Sequence, residues 1–278
     1  SHTRNFILNT PYDVSFIFAP GINNYRRYMK KSHFIFILVV GMLNLLLMNC
    51  SKKVTPALSQ NKSIHKLVSL SKSSCFGKCA VYNLTVYNDG LVILEGKANL
   101  DKLGVYHTML NTLEFDKLNH TIQSLNWKIY KPAYLRNIPD LPMSTITYYN
   151  IADTGRITVK SNSTLPAELE DLHKVLMELT NSKNWIQALK EKEVNAKDII
   201  SNELQIDMDS TLSTSKMEEI FKPYDFKMVN RISQYMNYYL FTFNKDKISP
   251  VEMVVLVRRT KGVRLVQFNK KLSPRDDF

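Results

Sequence analysis

Alternating apolar and polar positions dominate the middle of this chain, and the period shifts from two to nearly four and back again. Residues 80–87, Ala-Val-Tyr-Asn-Leu-Thr-Val-Tyr, predict a strand, Asn88-Asp89-Gly90 a hairpin turn, and residues 91–96 the returning strand. Residues 65–70 alternate more weakly ahead of it, and 105–110 add a further strand. Phe115, Leu118, Ile122 and Leu125 are then spaced like the buried face of a helix, with Thr112 and Glu114 at positions that support a helix start. Pro139 and Pro142 bracket a loop around Asp140. Residues 144–149 and 156–160 predict a second hairpin across Asp153-Thr154-Gly155, and Pro166 opens a helix carrying Leu169, Leu172, Leu176 and Leu179 that ends near Asn181. Residues 64–190 are therefore expected to form an α+β domain, an antiparallel sheet with two helices over one face.

A charged and polar stretch, 191–201, joins this region to one with a different rhythm. Residues 203–208 alternate as a strand, and 213–224 read as a helix with Met217, Ile220 and Phe221 inward. Residues 226–232 and 238–243 read as two strands. Pro250 starts a helix with Val251, Val254, Val255 and Val257 apolar, Gly262 stops it, and 263–268 return as a strand. The order β-α-β-β-α-β predicts a ferredoxin-like domain over residues 202–278.

The N-terminal part follows neither period. Met29-Lys30-Lys31 precedes fifteen mostly apolar residues, Phe34 to Met48, and the run stops at Asn49-Cys50-Ser51-Lys52-Lys53. That is short of the roughly 20 residues a membrane span needs, and its basic start and small end are those of an export signal. It resembles the bacterial lipoprotein signal with its lipobox, although Asn49 is a less usual residue before the cysteine. The resemblance implies cleavage before Cys50, lipidation of its thiol and acylation of its new amino group. Residues 1–28 then read as a non-native or overcalled extension, 29–49 as the signal and 50–63 as a polar tether.

Composition narrows the function classes. The whole chain carries 37 basic and 25 acidic side chains; from Cys50 onward 32 basic stand against 24 acidic, a balance of +8 with no long basic block. Spread positive charge favours contact with anionic envelope surfaces and does not indicate a nucleic-acid reader. With Cys50 lipidated, Cys75 and Cys79 remain, an even pair that reads first as a disulfide around the flexible Gly77; a catalytic thiol, free cysteines and metal binding are the alternatives. His65, His107, His120 and His173 never fall at metal-ligand spacing. Asp140 is the best isolated functional candidate, with a turn-capping carboxylate as its plainer role. Tyr82, Tyr87, Tyr148 and Tyr149 read as sheet packing. Nucleophile–base pairs, phosphate loops and carboxylate clusters at informative spacing are missing from the pattern, so the chain is read as non-enzymatic and without a cofactor or metal.

Two further resemblances bear on function. The stretch Ser69-Leu70-Ser71-Lys72-Ser73-Ser74-Cys75-Phe76-Gly77-Lys78-Cys79-Ala80-Val81-Tyr82, followed by Tyr87-Asn88-Asp89-Gly90, Glu95-Gly96, Tyr130, Asp140, Pro142 and Thr145-Ile146-Thr147, resembles an uncharacterised domain family of exported proteins and lipoproteins, especially of the Bacteroidota. Ala80 stands where that family usually has proline. The resemblance covers residues 64–185 and implies fold and location, not an activity. Residues 202–206, 239–243 and 262–269 look like the propeptide domain of subtilisin-type proteases. That likeness implies a trans-acting inhibitor or chaperone of such a protease, with Pro274, Arg275, Asp276, Asp277 and Phe278 as a tail able to enter its cleft. The leading expectation is a scaffolding or protein-binding lipoprotein held to the membrane through Cys50. Ser51 and Lys52-Lys53 resemble neither the inner-membrane retention signal nor the acidic surface-export tag, so the expected place is the outer membrane facing the periplasm, with the inner membrane as the alternative. The alternatives are the protease-directed role and an enzyme of unknown class; the oligomeric state is not legible.

Overall fold

The computed structural model describes residues 64–150, 155–182 and 184–271. Cys50, the stretch 51–63, the Asp153-Thr154 turn and the tail 274–278 lie outside the described residues. The β-branched and aromatic runs become strands β1 (Lys66–Lys72), β2 (Val81–Tyr87), β3 (Leu91–Ala98) and β4 (Gly104–Met109). Helix α1 (Thr112–Ser124) follows, starting one residue after a capping box in which Asn111 accepts from the Glu114 amide at 2.9 Å and Glu114 accepts from the Asn111 amide at 3.1 Å. Next come β5 (Ala133–Tyr134), β6 (Ser144–Tyr149), β7 (Arg156–Ser161), α2 (Ala167–Leu179), β8 (Ile186–Lys190) and the short α3 (Glu191–Val194). The remaining elements are β9 (Ile199–Met208), α4 (Thr214–Ile220), β10 (Lys227–Arg231), β11 (Tyr238–Thr242), α5 (Pro250–Arg258) and β12 (Val263–Lys270).

These strands build two sheets. The larger has eight strands in the order β5-β7-β6-β1-β2-β3-β4-β8, antiparallel throughout except for the two-residue parallel pairing of β5 with β7. The smaller is antiparallel, in the order β10-β11-β9-β12. One face of the large sheet, with Val68, Leu70, Leu84, Val86, Leu94 and Ile146, is covered by α1 and α2 through Leu118, Ile122, Leu169, Leu172 and Leu176. On the opposite face Tyr87, Leu91, Ile93, Val105 and Leu189 share a second core with Leu204, Ile206, Phe241, Val266 and Phe268 of the small sheet. Helix α5 fills the layer between the sheets, buried at every position from Val251 to Val257.

This arrangement overturns the expected fold of a two-helix sheet followed by a ferredoxin-like β-α-β-β-α-β unit. The α+β class stands, but five helices and an eight-stranded and a four-stranded sheet are present among the described residues. The physical reason lies in α5. A helix apolar on all sides needs cover all round, and it finds that cover in both sheets at once. Strand β8 adds to the reason: it comes from beyond α2, yet pairs with β4 of the large sheet. The joint between them is tight at Gly104, whose φ is +98° and whose added Cβ would lie 2.4 Å from the Leu189 carbonyl oxygen. Polar ties reinforce the joint. Lys66 pairs with Glu252 at 2.8 Å, Arg259 with Asp89 at 3.2 Å, and the Tyr224 hydroxyl donates to the Ile64 carbonyl at 3.0 Å.

The helix expected over 213–224 ends early. Pro223 sits in a 3-10 turn at Lys222–Tyr224, where its ring cannot continue the α-helical hydrogen bonding, and Asp225 closes the turn at a φ of 54°. Among the described residues no helix is long and apolar enough to cross a membrane.

Candidate functional site

Four strand ends meet at one end of the large sheet: the C-termini of β1 and β7 and the N-termini of β2 and β6. The β1–β2 connection there is closed by the Cys75–Cys79 disulfide, whose Cα atoms are 5.7 Å apart. Inside this ring Gly77 takes a φ of +143°, and its amide donates to the Cys75 carbonyl at 2.9 Å. The loop preceding β6 is bonded to the ring. The Phe76 amide donates to the Asp140 carbonyl at 3.2 Å, the Ser73 amide to the Met143 carbonyl at 2.9 Å, and the Met143 amide to the Ser73 hydroxyl at 2.9 Å. The Asn99 side chain donates to the Cys79 carbonyl at 3.0 Å from the other side. Asp140 therefore meets the cysteine loop through its backbone, in a left-handed conformation at φ 60° that Asp and Asn tolerate better than most residues. Its side chain is exposed.

The result is a braced loop that holds one apolar side chain outward. Phe76 is 92% exposed, and Ile138, two residues from the bonded Asp140, is 50% exposed. An aromatic ring in water costs free energy that burial would recover, so a rigidly presented one is suited to docking.

Beside the loop lies an open cavity of about 440 Å³, lined by Pro142, Ser144, Ser161, Asn162, Glu170 and His173. The His173 Nε2 and the Ser144 hydroxyl are hydrogen-bonded at 3.1 Å, and His173 Nδ1 is 3.7 Å from the Glu170 carboxylate. Burial lowers the pKa of His173 from its ordinary value, the Lys72 ammonium lowers it further, and Glu170 partly opposes both. Burial likewise lowers that of Lys72, again against Glu170. The imidazole is thus held neutral near pH 7. A hydroxyl, a neutral imidazole and a carboxylate in this order are the groups of nucleophilic catalysis. Here, however, Ser144 is only 5% exposed and Glu170 lies beyond hydrogen-bond reach, so the contact ties α2 to the start of β6.

The structure brings together Cys75, Cys79 and Asp140 and scatters the other residues singled out from the sequence. His65 lies just before β1, His107 in β4 and His120 in α1; among the described residues no group of three His, Cys, Asp or Glu could hold a metal ion. Tyr148 stacks on Trp127 with ring centroids 4.7 Å apart, Tyr87 is fully buried, and burial pushes the Tyr82 hydroxyl up to about 12. The tail residues Pro274 to Phe278 lie outside the described residues. Sequence reasoning missed Phe76, whose signal was a lone aromatic residue between two cysteines. It also missed the His173–Ser144 pair, for which a separation of 29 positions leaves no local signal.

Residues 66–180 match a family described as a domain of unknown function, DUF6438. This chain carries a DUF6438 domain. It contains the disulfide, Asp140, Phe76 and the Ser144–His173 pair, and it covers the stretch expected from the cysteine motif to be an uncharacterised domain. No curated protein and no solved structure matches the chain. The DUF6438 match ends before β8, so the strand that completes its sheet and the helix that covers its second face come from outside it. The likeness of residues 202–275 to a protease propeptide is no part of that match.

Proposed function

We propose that this chain is a non-enzymatic, lipid-anchored protein of the cell envelope that binds another protein through the disulfide end of its DUF6438 domain. The observation behind this reading is Phe76, almost fully exposed on a covalently closed and hydrogen-bonded loop. Aromatic anchors of this kind contribute a large share of binding energy at interfaces, at low entropic cost when they are already held in place. The Met29–Cys50 pattern supports the anchor, with the protein on the outer membrane facing the periplasm.

The decisive experiment puts the photoreactive residue p-benzoylphenylalanine at position 76 of the full chain in its native cells. Leu113 on α1, 80% exposed, serves as the control position. A discrete adduct with one protein from position 76, and none from position 113, is the expected result. No adduct at 76, or the same adducts at both positions, would overturn the reading. Anchoring is checked separately: Cys50→Ser is expected to abolish incorporation of labelled palmitate and to release the protein from the membrane fraction.

A second reading, an acyl-transfer enzyme, is favoured by the Ser144–His173–Glu170 order alone. It requires that a fluorophosphonate label Ser144 in the wild type and not in Ser144→Ala. Absence of labelling in the folded wild-type protein removes it.

A further inference from the structure

Strand β8 is an edge of the large sheet and β12 an edge of the small one, and the two edges flank a cleft. Arg258, at the end of α5, bridges them: its guanidinium donates to the Ala188 carbonyl on β8 and, at 3.2 Å, to the Val266 carbonyl on β12. A cavity of about 470 Å³ lies between the edges, within the size range of small-ligand sites. Leu189, Ile199, Val266 and Phe268 supply apolar wall, while Arg258 and Lys192 supply positive charge.

The charges do not cancel locally. Lys270 is neutralised by Asp198 at 2.9 Å, while the carboxylate of Glu193, bonded to the uncharged Lys190 amide at 2.7 Å, keeps its negative charge on the lining. Arg258 is bonded to carbonyl oxygens and not to a carboxylate, and Lys192 makes no ion pair among the described residues. With Arg258 and Lys192 set against the single carboxylate of Glu193, the lining keeps a net positive charge beside an apolar wall and attracts an anion that also has something apolar to bury. An inserted peptide strand fits less well. Arg258 occupies a carbonyl on each edge, the groups that strand addition would need.

We propose that this cleft binds an amphipathic anion, its single carboxylate or phosphate head at Arg258 and Lys192 and its acyl or aryl body along Phe268 and Leu189. The site is separate from the disulfide end and does not depend on the function proposed for it.

Calorimetric titration of the full chain tests this with dodecanoate, dodecyl phosphate and the uncharged dodecanol, each below its aggregation concentration. Saturable binding of at least one anion is expected, weakened about tenfold by Lys192→Gln and more by Arg258→Gln, with dodecanol at least tenfold weaker. The tighter of the two anions identifies the head group. Should Arg258→Gln fail to fold, Arg258→Lys is the substitute, with intermediate affinity expected because it keeps the charge and loses the fork. A diazirine-bearing dodecanoate is expected to label residues 186–199 or 263–270. No saturable binding by either anion, equal binding by dodecanol, affinity unchanged in Lys192→Gln and the Arg258 variant, or labelling confined elsewhere would each overturn the proposal.

Discussion

Glu252 is buried between the sheets, and only one of its oxygens is well served. Oε2 accepts from the Lys66 ammonium at 2.8 Å, the Ser249 hydroxyl at 2.7 Å and the Ser249 amide at 3.1 Å, while Oε1 and the nearby Tyr87 hydroxyl lack a hydrogen bond of ordinary geometry. Burial acts to raise the carboxyl's pKa, but the Lys66 charge and the bonds from Lys66, Ser249 and Thr85 outweigh it and hold the pKa below the usual value. Stability from this group is therefore full above the unfolded carboxyl's range and lost as pH falls through the lower folded value. Glu252→Gln is expected to cost about 3 kcal/mol in urea unfolding, since it leaves a largely but not fully buried ammonium unpaired, and Lys66→Met with Glu252→Met to recover most of that. A double variant no more stable than the single one would show that the pair contributes more than mutual neutralisation. His173 works in the same direction by a different route. Its folded value is lowered, so on acidification the unfolded chain takes up the proton first and stability falls as pH drops from about 6.5 through the folded value. His173→Asn is expected to flatten the stability profile between pH 7 and 5, as read by thermal unfolding. Neither cluster was legible in the sequence: Lys66 and Glu252 are 186 positions apart, and Glu252 reads locally as an ordinary capping-box residue after Ser249.

Elements were legible where their pattern is local. The β2–β3 hairpin, the helix over Thr112–Ser124 and the Pro250 start of α5 follow from alternation, spacing and caps within a few residues. Strand β8 was not, because Ile186–Lys190 has two buried residues side by side and no alternation; it is a strand only because β4 offers it an edge. The disulfide loop lies between these cases. Its closure was legible, but its bonding to Asp140 and Met143 was not. A ring this short removes little chain entropy, so Cys75→Ser with Cys79→Ser is expected to cost about 2 kcal/mol in chemical unfolding while cutting cross-linking from position 76 severalfold. Cross-linking that survives unchanged would mean that hydrogen bonds alone hold Phe76 in place.

At the scale of the whole molecule, the shared core makes one cooperative body of residues from both sides of the DUF6438 boundary. Leu91, Ile93 and Val105 of the large sheet are covered by α5 and the small sheet, so removing one part uncovers the other. Calorimetry on the full chain is expected to show a single transition for residues 64–271, with equal calorimetric and van't Hoff enthalpies. Two resolved transitions would mean that the inter-sheet layer is too weak to couple them.

The pairing of β8 with β4 also bears on how such a domain is inherited. Residues 66–180 leave the β4 edge open, with Gly104 shaped to take a neighbouring backbone. That edge is a socket. In this chain the sequence after residue 180 supplies the plug, and a chain that ends its domain there needs another strand, another subunit or a charged residue at the rim to keep the edge from pairing indiscriminately. Diversity among proteins built on this domain is therefore expected to concentrate at β4, the position where a new partner segment can be grafted without disturbing the disulfide end.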